Sequence, residues 1–281
     1  MEAQLEEIRD QQKAAWNKFS GGWKKWDSLT MDFLKPMGDE IIRLLNLKDD
    51  DVVLDVASGT GEPGLTIASS VKKGKVIITD LSEDMLQIAF ENARQRGIPN
   101  IETKVCDVSV LPFEDNYFDA ISCRFGYMFF PDMQLATSEM VRVLKPGGRI
   151  ATSVWNIPEK NFWVTAMMGT INKHIEVAPP PPGSPGMFRC ASDGFIADIF
   201  QGEGLKNVSQ KEVASTLNSK TAEVYWQMMT EVAAPVVKAL ATADASMQEK
   251  IKKEVLEAIR SRYKEGEIKV DASSLVVYGE K

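Results

Sequence analysis

DVVLDVASGTGEPG, residues 51–64, is the stretch that decides how this chain is read. Its first half, Val52–Ala57, is a short apolar run rich in valine, the pattern of a buried strand. Its second half sets Gly59, Gly61 and Gly64 as G-x-G-x-x-G, directly after that strand and before a helical stretch over Glu62–Lys72. Glycines at such a turn let the backbone bend sharply and come close to a ligand. Taken alone, the turn serves a dinucleotide as well as another adenosine-containing ligand.

Working outward, the same grammar repeats. Apolar runs at Val76–Asp80, Glu102–Cys106, Phe118–Cys123 and Arg149–Trp155 read as strands. Between them, Ser82–Arg96 and Met133–Leu144 carry apolar residues at helical spacing, and Ser82 with Glu83 and Asp84 forms a helix start. A Lys145–Gly148 turn precedes the fifth strand. Alternation of this kind predicts a parallel sheet with helices on both faces, and right-handed crossovers limit it to a doubly wound arrangement. Two later strands, Asn207–Ala214 and Ser273–Gly279, bring the expected sheet to seven strands. The fold class is therefore α/β, a Rossmann-like doubly wound seven-stranded sheet.

The flanks are read as additions to one domain spanning 1–281. Residues 1–46 form a helical N-terminal lid, broken near Gly21–Gly22 and carrying Trp16, Trp23 and Trp26. Residues 47–155 are the binding core, and 156–281 hold cover helices and the last two strands. The expected helices there are Phe162–Lys173, Ser192–Gly202, Ala222–Ala241 and Met247–Tyr263, with a stiff proline-rich loop at Ala178–Gly186.

Bulk properties exclude several function classes. With 44% hydrophobic and 26% charged residues, the chain can bury an ordinary globular core. A net charge of −7 without basic clusters argues against nucleic acid as partner. The charged opening segment does not read as a signal peptide, and no apolar run reaches the ~18 residues that would span a bilayer. Cys106, Cys123 and Cys190 lack metal-ligand spacing and, with a single histidine, make no metal site. Reduced thiols fit a cytoplasmic protein.

Two carboxylates sharpen the ligand. Asp80 ends the second strand, where it would hold both ribose hydroxyls of an adenosine. Asp55 lies inside the first strand, four residues before Gly59. A carboxylate there would repel a pyrophosphate but suit the ammonium and sulfonium of S-adenosyl-L-methionine. In order, Asp51–Gly64, Asp80, Cys106–Phe113, Asp115–Asp132 and Met140–Arg149 resemble the motifs of class I S-adenosylmethionine-dependent methyltransferases. The resemblance covers about Lys18 to Trp155 and is strongest to the branch containing the ubiquinone and menaquinone C-methyltransferases. It implies that Asp55 holds the methionine ammonium, directly or through water, while Ala57, Gly59 and Gly61 line the methionyl and ribose parts. Asp80 would chelate the ribose, Leu81 and Met85 would pack on the adenine, and Asp107 would accept from its amine beside Val108. Arg124 and Phe125 would border the sulfur, and Trp26 would belong to the lid.

Methyl transfer from a sulfonium needs alignment more than catalytic groups. Where the acceptor needs a base, His174 is the first candidate, with Tyr127 and Asp132 as alternatives. The Met- and aromatic-rich cover, including Phe162, Trp163, Met167, Met168, Met187, Met228 and Met229, favours a small hydrophobic or aromatic acceptor for C- or O-methylation. The competing readings are an NAD(P)-dependent oxidoreductase and a non-catalytic adenosine-ligand-binding protein. The resembled quinone enzymes have shorter C-terminal regions than this chain.

Overall fold

β1 (Val52–Val56) is the axis of the molecule, with Val53, Leu54 and Val56 sealed from water. It pairs in parallel with β2 (Lys75–Asp80) on one side and β4 (Phe118–Arg124) on the other. β3 (Ile101–Val105) extends the sheet beyond β2, and β5 (Leu144–Trp155) extends it beyond β4. β7 (Ile268–Glu280) then enters antiparallel beside β5, and β6 (Lys206–Lys220) closes the edge. The order is β3-β2-β1-β4-β5-β7-β6. The order in which strands are added reverses between β1 and β4, and such a switch point opens a crevice at the carboxyl ends of the strands. The computed structural model describes residues 2–176, 181 and 183–281. Within the proline-rich stretch Ala178–Gly186, residues 178–180 and 182 lie outside the described residues.

Helices cover the sheet as the periodicity requires. α3 (Gly64–Ser70) follows the glycine turn, and α4 (Glu83–Gln95) packs on β2 and β3. Ser82 caps α4 by accepting from the Met85 amide at 3.2 Å. α5 (Met133–Val143) lies against β5, with Asp132 as its cap. Later come α6 (Phe162–Ile171) and α7 (Phe195–Gly202), then α8 (Ala222–Val232), α9 (Ala234–Leu240) and α10 (Ala245–Arg262).

The structure departs from the sequence reading at three places. The N-terminal break does not fall at Gly21–Gly22. α1 (Glu2–Lys25) runs straight through both glycines, and the chain turns at Trp26 into α2 (Asp27–Leu45). α2 is core rather than lid: Phe33, Leu34, Met37, Ile41 and Leu45 are buried, and the helix packs on β4 to β7. Of these two helices only α1 stays off the sheet, packing on α4 and α8.

The helix expected over Ala222–Ala241 is two helices. Pro235 has no N–H for the Glu231 carbonyl and its ring would clash there, so the helix breaks at Ala233 (φ −85°, ψ 99°). The freed carbonyl faces Gly22, where a Cβ would stand 2.3 Å from the oxygen. Gly22 is therefore a seat for close helix packing and not a helix breaker.

β6 and β7 are longer than expected, because their inward positions include Ser215, Ser219 and Ser273 among apolar residues. Polar residues facing in hide the two-residue period. The overhang carries α8 beside the crevice.

Leu54 is fully buried at the centre of β1. Leu54→Ala is expected to lower unfolding free energy by about 2–5 kcal/mol in urea titrations. A loss under about 1 kcal/mol would contradict β1 as the axis.

Candidate active site

The glycine turn is held from behind by Asp55. Its Oδ2 accepts from the Gly64 amide at 3.1 Å, and its Oδ1 accepts from Ser122 Oγ on β4 at 2.5 Å. A Cβ on Gly64 would lie 2.7 Å from Oδ2, so only glycine fits. Asp55 is sealed from solvent. Burial pushes its carboxyl up to about 7, against the opposing pull of the Ser122 and Ser58 hydroxyls, the Arg124 charge and the Gly64 amide. The structure does not bring Asp55 to the cavity above the turn. The carboxylate assigned to a ligand's ammonium braces β1, α3 and β4 instead.

The cavity opens at the ends of β1, β2 and β4. Gly59 (φ +56°) lines it with no atom within 4 Å of its absent Cβ. Gly61 (φ +112°) faces away, against Leu65 and Ala89. Ala57 lines the cavity with φ 53°, a left-handed conformation that costs about 1 kcal/mol or more in a non-glycine residue. Its Cβ would meet one placed on Gly126, so the turns after β1 and β4 touch.

One end of the cavity carries the carboxylates. Asp80 Oδ2 accepts from the Gly59 amide at 2.9 Å and Oδ1 from the Ser82 amide at 2.8 Å. These bonds fix the group at the cavity wall, while burial raises its pKa. Leu81, Met85, Cys106, Asp107 and Val108 continue the same wall. Asp107 Oδ1 accepts from the Ser109 amide at 2.8 Å, leaving Oδ2 turned to Arg9 at 3.8 Å.

The other end is aromatic. Phe125, itself left-handed at φ 62°, stacks on Trp155 with centroids 4.2 Å apart and planes 18° apart. Phe33 and Trp163 complete the cluster at 4.9 to 5.8 Å from their neighbours. Met187, Met228, Val232 and Pro235 line the cavity as well. Arg124 also lines it, and burial lowers its pKa. Its guanidinium donates to the Leu34 carbonyl and reaches the Met31 sulfur, each at 3.4 Å.

The structure thus brings together Ala57, Gly59, Asp80, Leu81, Met85, Asp107, Val108, Arg124 and Phe125. Besides Asp55 and Gly61, it leaves four residues elsewhere. Trp26 donates through Nε1 to Glu231 at 2.9 Å, at the α1–α2 turn. His174 pairs with Glu254 of α10 at 2.8 Å, away from the cavity. Tyr127 is buried with its hydroxyl 3.0 Å from that of Thr137, and desolvation holds it well above the usual range against the lowering pull of that hydrogen bond. Asp132 is occupied as the α5 cap. None of the last three is placed to take a proton from an acceptor.

Sequence reasoning missed the cavity face of α1. Arg9, Gln12, Trp16 and Trp23 all line the cavity. Their spacing of three, four and seven residues is one helical stripe, a signal present in the sequence.

Fold and site together are those of a class I S-adenosylmethionine-dependent methyltransferase. Residues 26–166 match the model of the ubiE/COQ5 methyltransferase family, and the chain belongs to that family. A relative from Francisella tularensis subsp. novicida, the ubiquinone/menaquinone biosynthesis C-methyltransferase UbiE, is 39% identical over 114 residues. That match covers 40% of this chain and 46% of the relative, so the chain spans about half the length of the curated relatives it matches. Among solved structures, the YcgJ protein of Bacillus subtilis superposes with a TM-score of 0.59 at 19% identity, covering 87% of this chain and 97% of that one. A SAM-dependent methyltransferase from Aquifex aeolicus gives 0.51 at 23% identity, covering 68% and 89%. At such identities the superpositions show the fold.

Asp55 makes stability pH-dependent in a defined direction. An unfolded aspartate releases its proton near roughly 4, and the folded one near about 7. Between these values the folded state binds the extra proton, so stability falls as pH rises. Asp55→Asn is expected to flatten that fall in denaturation series from pH 4.5 to 7.5, a range set by these two pKa values. Equal slopes for both proteins would refute the buried, proton-holding carboxyl.

Proposed function

We propose that the protein transfers a methyl group from S-adenosylmethionine to a small hydrophobic or aromatic acceptor, at carbon or oxygen. The observation that carries this reading is the two-ended cavity, with Asp80 and Asp107 at one end and stacked aromatic rings at the other. The donor fits the first end. Asp80 is already oriented by two backbone amides and keeps lone pairs for a ribose diol. Asp107 Oδ2 is available to an adenine amine, with Val108 beside it and Leu81 and Met85 to pack on the ring. Arg124 meets a carbonyl and a thioether rather than a carboxylate, which leaves it for the methionine carboxylate. A dinucleotide fits poorly, because its pyrophosphate would meet Glu62 at the turn.

When bound, S-adenosylmethionine supplies a methyl carbon on a cationic sulfur, so the acceptor's electron pair makes the new bond, the carbon–sulfur pair stays on sulfur, and any proton released goes to water. This chain's residues align the partners and exclude water. Phe33, Phe125, Trp155 and Trp163 offer flat apolar walls to the acceptor. Met228, Val232 and Pro235 lie beyond the family-matched segment. This supports an acceptor of the protein's own, set apart from the quinones in its relatives' names. The free thiols Cys106, Cys123 and Cys190 accord with a cytoplasmic enzyme. Among the described residues, no helix is long and apolar enough to cross a membrane.

Calorimetric titration with S-adenosylhomocysteine and with NAD tests the reading. Binding of the first and not the second is expected, and Asp80→Ala should weaken it by about 1–3 kcal/mol. Tight NAD binding with no response to the thioether would overturn the proposal. Binding without transfer to any acceptor would favour an adenosine-ligand-binding protein.

A further inference from the structure

The loop after β4 carries carbonyls that need donors from elsewhere in the chain. Phe130 precedes Pro131 and is extended (φ −68°, ψ 130°), the conformation that a following proline favours. Extended backbone outside a sheet has no ladder to satisfy its carbonyls. The donors come from Gly186–Arg189, a segment beyond the family-matched residues 26–166. The Gly186 amide donates to the Met128 carbonyl at 3.1 Å. The Arg189 guanidinium donates to the Phe130 carbonyl and, at 3.3 Å, to that of Pro131.

Arg189 is partly buried, and burial lowers its pKa. Among the described residues its side-chain hydrogen bonds go to these two carbonyls and to no carboxylate. A planar fork of donors suits two neighbouring acceptors in a way that a single ammonium does not. Cys190 follows, buried, with its Sγ 3.5 Å from the Met133 sulfur of α5. The chain is therefore tied on both sides of residue 187. Between the ties, Met187 lines the cavity, as Phe129, Phe130 and Pro131 do. A methionine side chain adapts to irregular neighbours, so the boundary it makes depends on where its backbone is held.

Building on the methyltransferase reading, we propose that Met187 is a specificity-determining residue that limits how far an apolar acceptor extends towards the loop after β4, with Arg189 as its positioning residue. Arg189 is not part of the cavity lining. It acts by fixing the segment that carries Met187 to the loop that carries Phe130 and Pro131. The family-matched segment supplies the loop, and this chain's later residues supply the stop. The acceptor is then a compact apolar molecule with no long chain on that side.

The test uses the full chain saturated with S-adenosylhomocysteine and titrated with toluene and n-butylbenzene. Met187→Ala should raise the butylbenzene-to-toluene affinity ratio by about tenfold, the effect of burying roughly one to two more methylenes. Arg189→Met, which keeps an apolar stem without donors, should raise the ratio by a smaller factor. Arg189→Lys should fall between that variant and the wild type. In the Met187→Ala background, Arg189→Met should move the ratio no further, because it acts through Met187. A merely structural Arg189 would lower the melting temperature in both backgrounds and leave the ratio alone. Where Arg189→Met fails to fold, Arg189→Lys carries the same comparison. The proposal is overturned by hydrocarbons that do not bind, by an unchanged ratio in Met187→Ala, by a wild-type ratio in the Arg189 variants, or by effects that add in the double variant. Failure of the methyltransferase reading shows separately, as absent S-adenosylhomocysteine binding.

Discussion

The Asp55 carboxylate, closed off from water, accepts from the Gly64 amide on one side and the Ser122 hydroxyl on the other. Three elements meet at that group: β1, which carries it, the turn into α3, and β4. The turn after β4 also touches the turn after β1, where Gly126 leaves room for Ala57. The walls of the cavity are thus set by contacts beneath its floor. Burial holds the carboxyl near about 7, so the brace works against the cost of an ionised group in a dry place. Hydrogen bonds from fixed donors offset part of that cost.

From this brace the two ends of the site diverge. Towards β2 and β3, backbone amides orient Asp80 and Asp107, so the polar contacts are built into strand ends and turns. Towards β5, the chain supplies rings from separate elements: Phe33 from α2, Phe125 after β4, Trp155 at the end of β5 and Trp163 on α6. α1 lies across both ends, with Arg9 beside Asp107 and the Trp16–Trp23 pair near Phe129. The break at Ala233, forced by Pro235, receives the far part of α1 through Gly22.

Much of this was legible in the sequence. β1 and β2 are valine- or isoleucine-rich runs ending beside a small or acidic residue, and β3 to β5 follow at regular spacing between helical stretches, so the core strands and the strand-end carboxylates could be read directly. Asp55 shows where reading stops. A carboxylate one turn before the glycines has the right chemistry for a cationic ligand, but residue type does not say which side of the turn it faces. The three tryptophans pose the same problem. The family resemblance points to Trp26, whereas the stripe Arg9, Gln12, Trp16 and Trp23 on a continuous α1 points to the other two. Continuity was hidden by Gly21–Gly22, which local preference treats as a break and tertiary packing uses as a contact. Long-range partners, such as His174 with Glu254, leave no local signature at all.

A crystal structure of the protein with S-adenosylhomocysteine tests the central claim most directly. It should place the ribose hydroxyls on Asp80, the adenine amine on Asp107 and the thioether sulfur facing the Phe125–Trp155 stack, with Asp55 still buried behind the turn. A nucleoside bound in another orientation, or one whose ribose lies away from Asp80, would contradict the account.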